Sequence, residues 1–511
     1  MVRLISFSIF LALFAFGNFQ ASAQESSRLP GSDRFPADHH SLTHTISFSD
    51  MKAFLDQIDG KGPVKVTVEG RSAANRPVYL VHLNRGGEKA AWRVLFYAQQ
   101  HGDEVSGKDA LLYMIRTIVE KPESLPESVD LWIMPMLNPD GAEANSRRND
   151  AGADLNRDHL SLLQPETQAL YRVCRRVLPH IAVDCHEFTR DSSDYRDRGW
   201  TEWPLIMMDG LNHPLFDEKQ IKATQRWVEG ATPIMEKAGH AYMRYVVGDA
   251  PPDGELRHSA PDPDDGRNGI GAYGGLSFII EAGVSRSSAN PDADLAQRVD
   301  AYLGLLWPFI RDDRHRRDDM QVIQQARQSK LPAFIPTNCF WGNVGPRVTD
   351  FPVIDQASGL KRLVPTANFM HDLIVKKSVQ TPWGYAVDSS AAEIISALLD
   401  RHGIHYERLS TARTLSAERC KLIAIESEFD DVYNRYQGRQ IVQREPAAPH
   451  EFPSGALIVS LNQEAGLRAV LVLEPTMLYG LFQYAPFKAL VGPDGICPVW
   501  RVMNGEEKPA R

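Results

Sequence analysis

The feature that most constrains this chain is an alternation. Between residues 90 and 312, short apolar runs take turns with longer amphipathic ones, and the apolar runs end in residues capable of chemistry. "WRVLFYAQQ" ends on His101. "VDLWIMPMLNPDG" runs into an Asn-Pro-Asp-Gly turn. "IAVDCHEF" carries His186, and "GLSFIIEAG" carries Glu281. The stretches between them read as helices: one to about Val119, "PETQALYRVCRRVLPH" with Pro165 in its first turn, "EKQIKATQRWVEGATPIMEKAG", and Asp292 to Ile310. Apolar strands alternating with helices define an α/β fold, a mixed and mostly parallel sheet with helices on both faces. Such sheets place their sites at the carboxyl ends of strands.

Upstream, "SFSDMKAFLDQI" reads as a short helix capped by Ser or Asp, and "VKVTVEGRSAANRPVYLVHLN" as two strands joined by a turn. The mixed charge run "RDDRHRRDDM", residues 311 to 320, reads as a domain junction. Beyond it the texture changes. Short strands ("GALIVSLNQ", "LRAVLVLEP"), a helix ("AAEIISALLDRHG") and many turns form a smaller C-terminal α/β domain. A chain of 511 residues suits two or three domains. The division expected is a leader over 1–23, a linker over 24–44, a catalytic unit over 45–315 and an accessory domain over 316–511.

The leader is read from Arg3, the apolar run Leu4 to Phe16, and Ala21-Ser22-Ala23. These are the charged region, apolar core and cleavage site of a signal peptide. The run is short for a membrane anchor, and no later stretch is long and apolar enough to span. The mature protein is therefore expected outside the inner cell boundary, periplasmic or secreted, with no membrane span. A net charge of -9 and the lack of any Lys/Arg block speak against nucleic acid as a partner. The five cysteines show no zinc-ribbon spacing, and their odd number leaves at least one thiol unpaired. Cys185 reads as a small buried hydrophobe.

His101 and Glu104 form an H-x-x-E pair where a strand gives out. Alone, that pattern is common and equally suits a polar turn. It is neither H-E-x-x-H nor H-x-x-E-H, since Gly102 follows His101 and Val105 follows Glu104. A third ligand has to come from elsewhere, and His186 ends another strand of the same sheet. Two His and one Glu make a three-ligand zinc site with a position left open for water. Glu281 ends an apolar run whose alternation puts Ser277, Ile279 and Glu281 on one face. A carboxylate there is costly unless it is paired, for instance with Arg286, or serves as a catalytic base. The loop "NPDGAEANSRRNDAGADLNRDH" gathers Arg147, Arg148, Asn156 and Arg157, and an Arg fork beside an amide suits a carboxylate.

Together these residues resemble the zinc carboxypeptidase family, of the carboxypeptidase A type. The resemblance runs over about residues 45 to 312. It rests on H-G-D-E at 101–104, N-P-D-G at 138–141, R-x-N-x-x-G-x-D-L-N-R from Arg147 to Arg157, D-C-H at 184–186 and S-F-I-I-E at 277–281. It implies that His101, Glu104 and His186 hold one Zn2+ per chain, and that Glu281 is the general base for attack by a zinc-activated water. It further implies that Arg147 stabilises the oxyanion, with the adjacent Arg148 an alternative. Asn156 and Arg157 would grip a free C-terminal carboxylate, and Asp154 would orient His101. The implied substrate is a peptide or peptide-like molecule with a free C-terminus. A mobile-loop tyrosine usual in the family has no clear counterpart, since neither Tyr245 nor Tyr273 stands at a persuasive distance from Glu281. The Asp residues of "PDPDDGRNGIGAYGG" read as turn caps rather than a pocket for basic side chains. The C-terminal domain resembles an accessory region and is expected to pack rather than to react. Two further readings stay open at this stage. One is a same-fold amidohydrolase for murein peptides or N-acyl amino acids. The other is a non-catalytic peptide-binding protein.

Overall fold

A computed structural model describes residues 38–285, 291–430 and 435–504. The expected signal peptide, most of the expected linker and Arg286 lie outside the described residues. The alternation resolves into one eight-stranded sheet. In chain order its strands are β1 (Val64–Arg71), β2 (Pro77–Asn84), β3 (Trp92–Ala98), β4 (Val129–Met134), β5 (Ile181–Thr189), β6 (Ile206–Asp209), β7 (Tyr242–Arg244) and β8 (Leu276–Val284). Across the sheet they run β1-β2-β4-β3-β5-β8-β6-β7. Strands β4, β3, β5 and β8 pair in parallel, so four carboxyl ends reach one edge. The β1–β2 hairpin joins antiparallel to β4, and β6 antiparallel to β8.

The central strands read as unbroken apolar runs because both their faces are buried. In β3, Val94, Phe96 and Ala98 enter one apolar cluster, and Leu95 and Tyr97 enter another. The first cluster is completed by helices Phe48–Ile58, Ser106–Glu120, Glu218–Ala238 and Pro291–Arg311. The second takes in helix Pro165–Val177 and, from the C-terminal region, helix Ala392–His402. Period-two alternation then sorts the functional strands. Val183 and Cys185 face the first cluster, so Asp184 and His186 face the second side. Glu281 shares that side, paired in register with His186.

The C-terminal region contributes a six-stranded sheet assembled from strands between Gly384 and Asn504, and smaller sheets from residues 334–380. Two of its strands add to the first half of the chain. Thr349–Asp355 pairs with Trp200–Glu202, and Phe369–Met370 pairs with Leu256–Arg257.

Two local expectations change. The Asn-Pro-Asp-Gly turn is the start of a short helix, Pro139–Ala144, with Pro139 in its first turn and the Asn138 side chain accepting from Gly141 N at 2.8 Å. "LRAVLVLEP" is not a strand but lies in helix Gly466–Leu473. Ala469, Val470, Leu471, Val472 and Leu473 are all buried. A short helix enclosed on nearly every side has no polar face, so its apolar run cannot be told from a buried strand by period.

Candidate active site

The metal-ligating candidates sit where β3 ends. The chain turns at Gln99, passes His101 and reaches Glu104, whose N–H closes the turn onto His101 O at 3.2 Å. Gly102 and Gly141 make this turn possible together. A Cβ on Gly102 would stand 1.9 Å from the Gly141 backbone, so H-G-D-E and N-P-D-G are two halves of one close approach. Helix Ser106–Glu120 follows, and its first amides are bound by Glu187, which accepts from Val105 N at 3.2 Å and Ser106 N at 2.9 Å. Glu187 N in turn donates to Glu104 Oε2 at 3.0 Å. The residue after His186 thus aligns both Glu104 and the helix behind it.

His101, Glu104 and His186 converge, with one ligand atom from each lying within 4.8 Å of the others. Glu104 Oε1 is 2.6 Å from His101 Nδ1, and Oε2 is 2.9 Å from His186 Nδ1. The far side of each ring faces a carboxylate: His101 Nε2 lies 3.2 Å from Asp154 Oδ1 and His186 Nε2 lies 2.9 Å from Asp184 Oδ2. Carboxylates on Nε2 hold the proton there and leave the lone pairs on Nδ1. Arg147 Nη1, a donor only, stands 3.1 Å from His101 Nδ1 and agrees with that tautomer. The two Nδ1 atoms are 3.1 Å apart. Lone pairs so close repel unless a cation lies between them, and two nitrogens on a tetrahedral zinc stand about 3.3 Å apart. Glu281 Oε2 and Asp184 Oδ1 are also buried without a hydrogen-bond partner, which leaves polar capacity beside the cluster for a ligand. The donor set fits zinc.

The charges respond to this crowding. Burial pushes Glu104 upward, but His101 and His186 outweigh it and hold the carboxyl well below its usual range. Burial likewise acts against Asp154, and Arg147 and His101 again prevail. Burial disfavours a second proton on His186, yet Asp184 and Glu104 raise it well above the ordinary imidazole value; a cation at Nδ1 would take the place of that second proton. Glu281 moves the other way. Burial pushes it up to about 8; Glu104 and Asp184 add to that shift, while His186 and Arg147 oppose it.

Asp154 serves two residues, since its Oδ2 accepts from Arg147 Nε at 3.0 Å. Arg148 is exposed and donates to Gly152 O at 3.0 Å. The structure therefore brings Arg147, not Arg148, to the metal candidates. The short turn Leu155–Arg157 follows from Asp154, its N-cap. Asn156 Oδ1 accepts from Gly266 N at 2.7 Å, and Arg157 Nη1 donates to Asn156 O at 2.6 Å. A cavity of about 670 Å³ is lined by His101, Glu104, Arg147, Asn156, Arg157 and Glu281 among others. Asp154 lies behind this wall.

Asp184 and Gln100 carry roles that sequence reading did not assign. Gln100 donates to Asp184 Oδ2 at 2.7 Å and meets His159 Nε2 at 2.8 Å. Alternation would have found Asp184, two residues from His186 on one face. Tyr302, from helix Pro291–Arg311, donates to the carbonyls of His186 and Ile280 and so ties β5 to β8 beneath the site. Tyr245 lines the cavity, whereas Tyr273 points away and donates to His402 O at 3.2 Å. Asp265 caps helix Gly266–Gly271 and pairs with Arg267 at 3.0 Å, as a turn residue should. Asp262, Asp264 and Asp265 nonetheless line the cavity. Cys185 is buried, as expected, and all five cysteines are free thiols.

A His-Glu-His cluster at the carboxyl edge of a mixed α/β sheet, beside a buried glutamate, defines a zinc metallopeptidase. The zinc carboxypeptidase family model matches residues 51–250. Carboxypeptidase 2 of Trichophyton tonsurans is 33% identical over 432 residues, 80% of this chain and 76% of that protein. Carboxypeptidase 2 of Trichophyton equinum is 33% identical over 405 residues, 75% and 72% of the two chains. Among solved structures, a metallo-carboxypeptidase from Burkholderia cenocepacia aligns over 52% of this chain and 69% of its own, at 21% identity and a TM-score of 0.41. The chain belongs to the zinc carboxypeptidase family.

Proposed function

We propose that this enzyme removes the C-terminal residue from peptides outside the inner cell boundary. The observation that carries the reading is one cavity lined by His101, Glu104, Glu281, Arg147, Asn156 and Arg157, with His186 completing the metal-ligating cluster behind that lining. His101, Glu104 and His186 would hold one zinc. When bound, zinc supplies Lewis acidity, lowering the pKa of a water and polarising the scissile carbonyl. Glu281, opposite His186 in register, takes a proton from the attacking water and returns it to the departing amine. Arg147, held by Asp154, is placed to donate to the oxyanion, a contribution typically of about 3 kcal/mol. Asn156 and Arg157 select the terminal bond by holding a free carboxylate one residue beyond it. The signal-like leader supports export, and no helix among the described residues is long and apolar enough to cross a membrane.

The test is metal content of the purified mature protein, wild type beside His186→Ala, with trimming of unblocked peptides and their amides followed in parallel. The expected result is about one zinc per chain, lost in the variant together with trimming. The amides should be poor substrates. Zinc without trimming of any peptide would overturn the peptide reading in favour of murein or N-acyl amino acid substrates. A wild type that takes up no zinc would overturn the site.

A further inference from the structure

The loops around the cavity are not held by the first half of the chain alone. Trp341 Nε1 donates to Ser259 O at 2.9 Å, and Ser259 lines the cavity. Asn368 Nδ2 donates to Asp253 O at 2.7 Å, and Thr366 Oγ1 donates to Pro252 O at 2.9 Å. Phe369–Met370 extends Leu256–Arg257 as a parallel strand. Tyr484 reaches furthest. Its hydroxyl lies 3.1 Å from Arg157 O and 3.3 Å from Asp264 Oδ2. Both of those residues line the cavity, and they come from segments more than a hundred positions apart in the chain.

We propose that the C-terminal region braces the substrate pocket from behind its lining, and that Tyr484 is a positioning residue that locks the Asn156–Arg157 turn against the Asp264 loop. The proposal rests on the reading of Asn156 and Arg157 as the grip on the substrate carboxylate. The turn Leu155–Arg157 is one short helical turn, and the carbonyls at the end of such a turn need partners from outside it. Tyr484 supplies one at Arg157 O. Its single proton goes to that carbonyl or to the Asp264 carboxylate, and both acceptors are drawn to one rigid ring. With the turn fixed at both ends, by Asp154 and by Tyr484, the Arg157 guanidinium has less freedom to lose when a carboxylate binds. Tyr484 itself is not among the residues lining the cavity, so it acts through Arg157 and not on the substrate.

The experiment compares wild type and Tyr484→Phe in the full-length zinc-loaded enzyme, on an unblocked peptide and the same peptide as its C-terminal amide. Loss of one hydrogen bond predicts a KM for the free peptide raised about fivefold, with kcat within about twofold. The preference for acid over amide should shrink by the same factor, while zinc content and melting temperature hold. An unchanged KM and preference would overturn the positioning role. A joint fall in kcat, zinc content and melting temperature would also overturn it, by making Tyr484 a packing residue. A wild type that treats acid and amide alike would instead remove the carboxylate grip, and the proposal with it. Trp341→Phe deletes the bond to Ser259 O and supplies a second variant should Tyr484→Phe fail to fold; its KM for the free peptide should rise, and an unchanged KM would overturn the bracing role.

Discussion

Two parts of this molecule bury charge in opposite ways. In the C-terminal region, Arg501 and Glu474 are fully enclosed and pair at 2.9 Å. Tyr385 donates to the same Glu474 oxygen at 2.9 Å, Thr476 Oγ1 donates to the other oxygen at 2.6 Å, and Arg501 also meets Glu418 and Gln380 O. Every donor has an acceptor there, and the network is closed. At the sheet edge, Glu104, Asp154, Asp184 and Glu281 crowd two imidazoles, and buried oxygens of Asp184 and Glu281 have no hydrogen-bond partner. That arrangement is open. A closed network stabilises by holding its own charges in place. An open one keeps in its carboxylates a capacity to bind metal and to move protons.

Neutralising a member should therefore do opposite things in the two places. Glu281→Gln removes a base from the open cluster, and activity should fall by about 10²- to 10⁴-fold. Stability should hold or rise, because a buried carboxyl is replaced by a neutral amide of the same shape. Steady-state kinetics and a thermal melt on one preparation check both halves. A Glu281→Gln enzyme that loses stability as well would break the contrast.

Arg501→Met makes the converse cut. It leaves Glu474 enclosed without its guanidinium, while Glu418 keeps Arg444 at 3.0 Å, and loss of one buried partner costs about 3–5 kcal/mol. Denaturant unfolding should show that loss. Zinc content should be unaffected, since Arg501 lies in a different sheet from the ligands. A variant as stable as wild type would show that the closed network is not holding the C-terminal sheet.

The open cluster should also leave a mark on pH dependence once the metal is stripped with a chelator. Burial, aided by Glu104 and Asp184, raises Glu281 from 4.5 to about 8. Between those values the folded chain keeps a proton that the unfolded chain releases. Stability of the metal-free protein should therefore decline as pH rises from about 4.5 to about 8. Urea midpoints across that range, with Glu281→Gln as the reference, isolate the contribution. If the variant keeps the same slope, Glu281 is not its source.

Much of the sheet edge was legible in the sequence because a parallel sheet concentrates its chemistry at strand ends, and strand ends are marked by where apolar runs stop. His101 lies just past the end of β3, whereas β5 and β8 run on past His186 and Glu281 to Thr189 and Val284; the polar residue within an apolar run is what marks those two, and a loop motif marks Asp154. Asp184 lies within D-C-H, but it reads as part of an apolar strand until its face is compared with that of His186. Tyr484 and Trp341 had no local mark at all. Tyr484 meets Arg157 from 327 positions away, and nothing in the residues around it records that contact. Helix Gly466–Leu473 is hidden in the sequence for a related reason. Burial on nearly every side removes most of the polar stripe that identifies a helix.

The smallest expected effect sharpens the contrast within the open cluster itself. Its two imidazoles are each backed by a carboxylate, but unequally. Asp154 divides its oxygens between His101 and Arg147. Asp184 is given to His186 and to the neutral amide of Gln100. Asp184→Asn should therefore act on the metal with little direct effect on the arginine. Loss of such a backing carboxylate typically weakens metal binding by about 10- to 100-fold. Competition against a chromophoric zinc chelator should show that loss, and peptide hydrolysis at saturating zinc should stay close to wild type. Asp154→Asn, in the same assays, should lose metal affinity and also lower kcat, because Arg147 is released with it. If the two variants behave alike, Arg147 does not depend on Asp154 for its position, and the assignment of the oxyanion donor falls with that dependence.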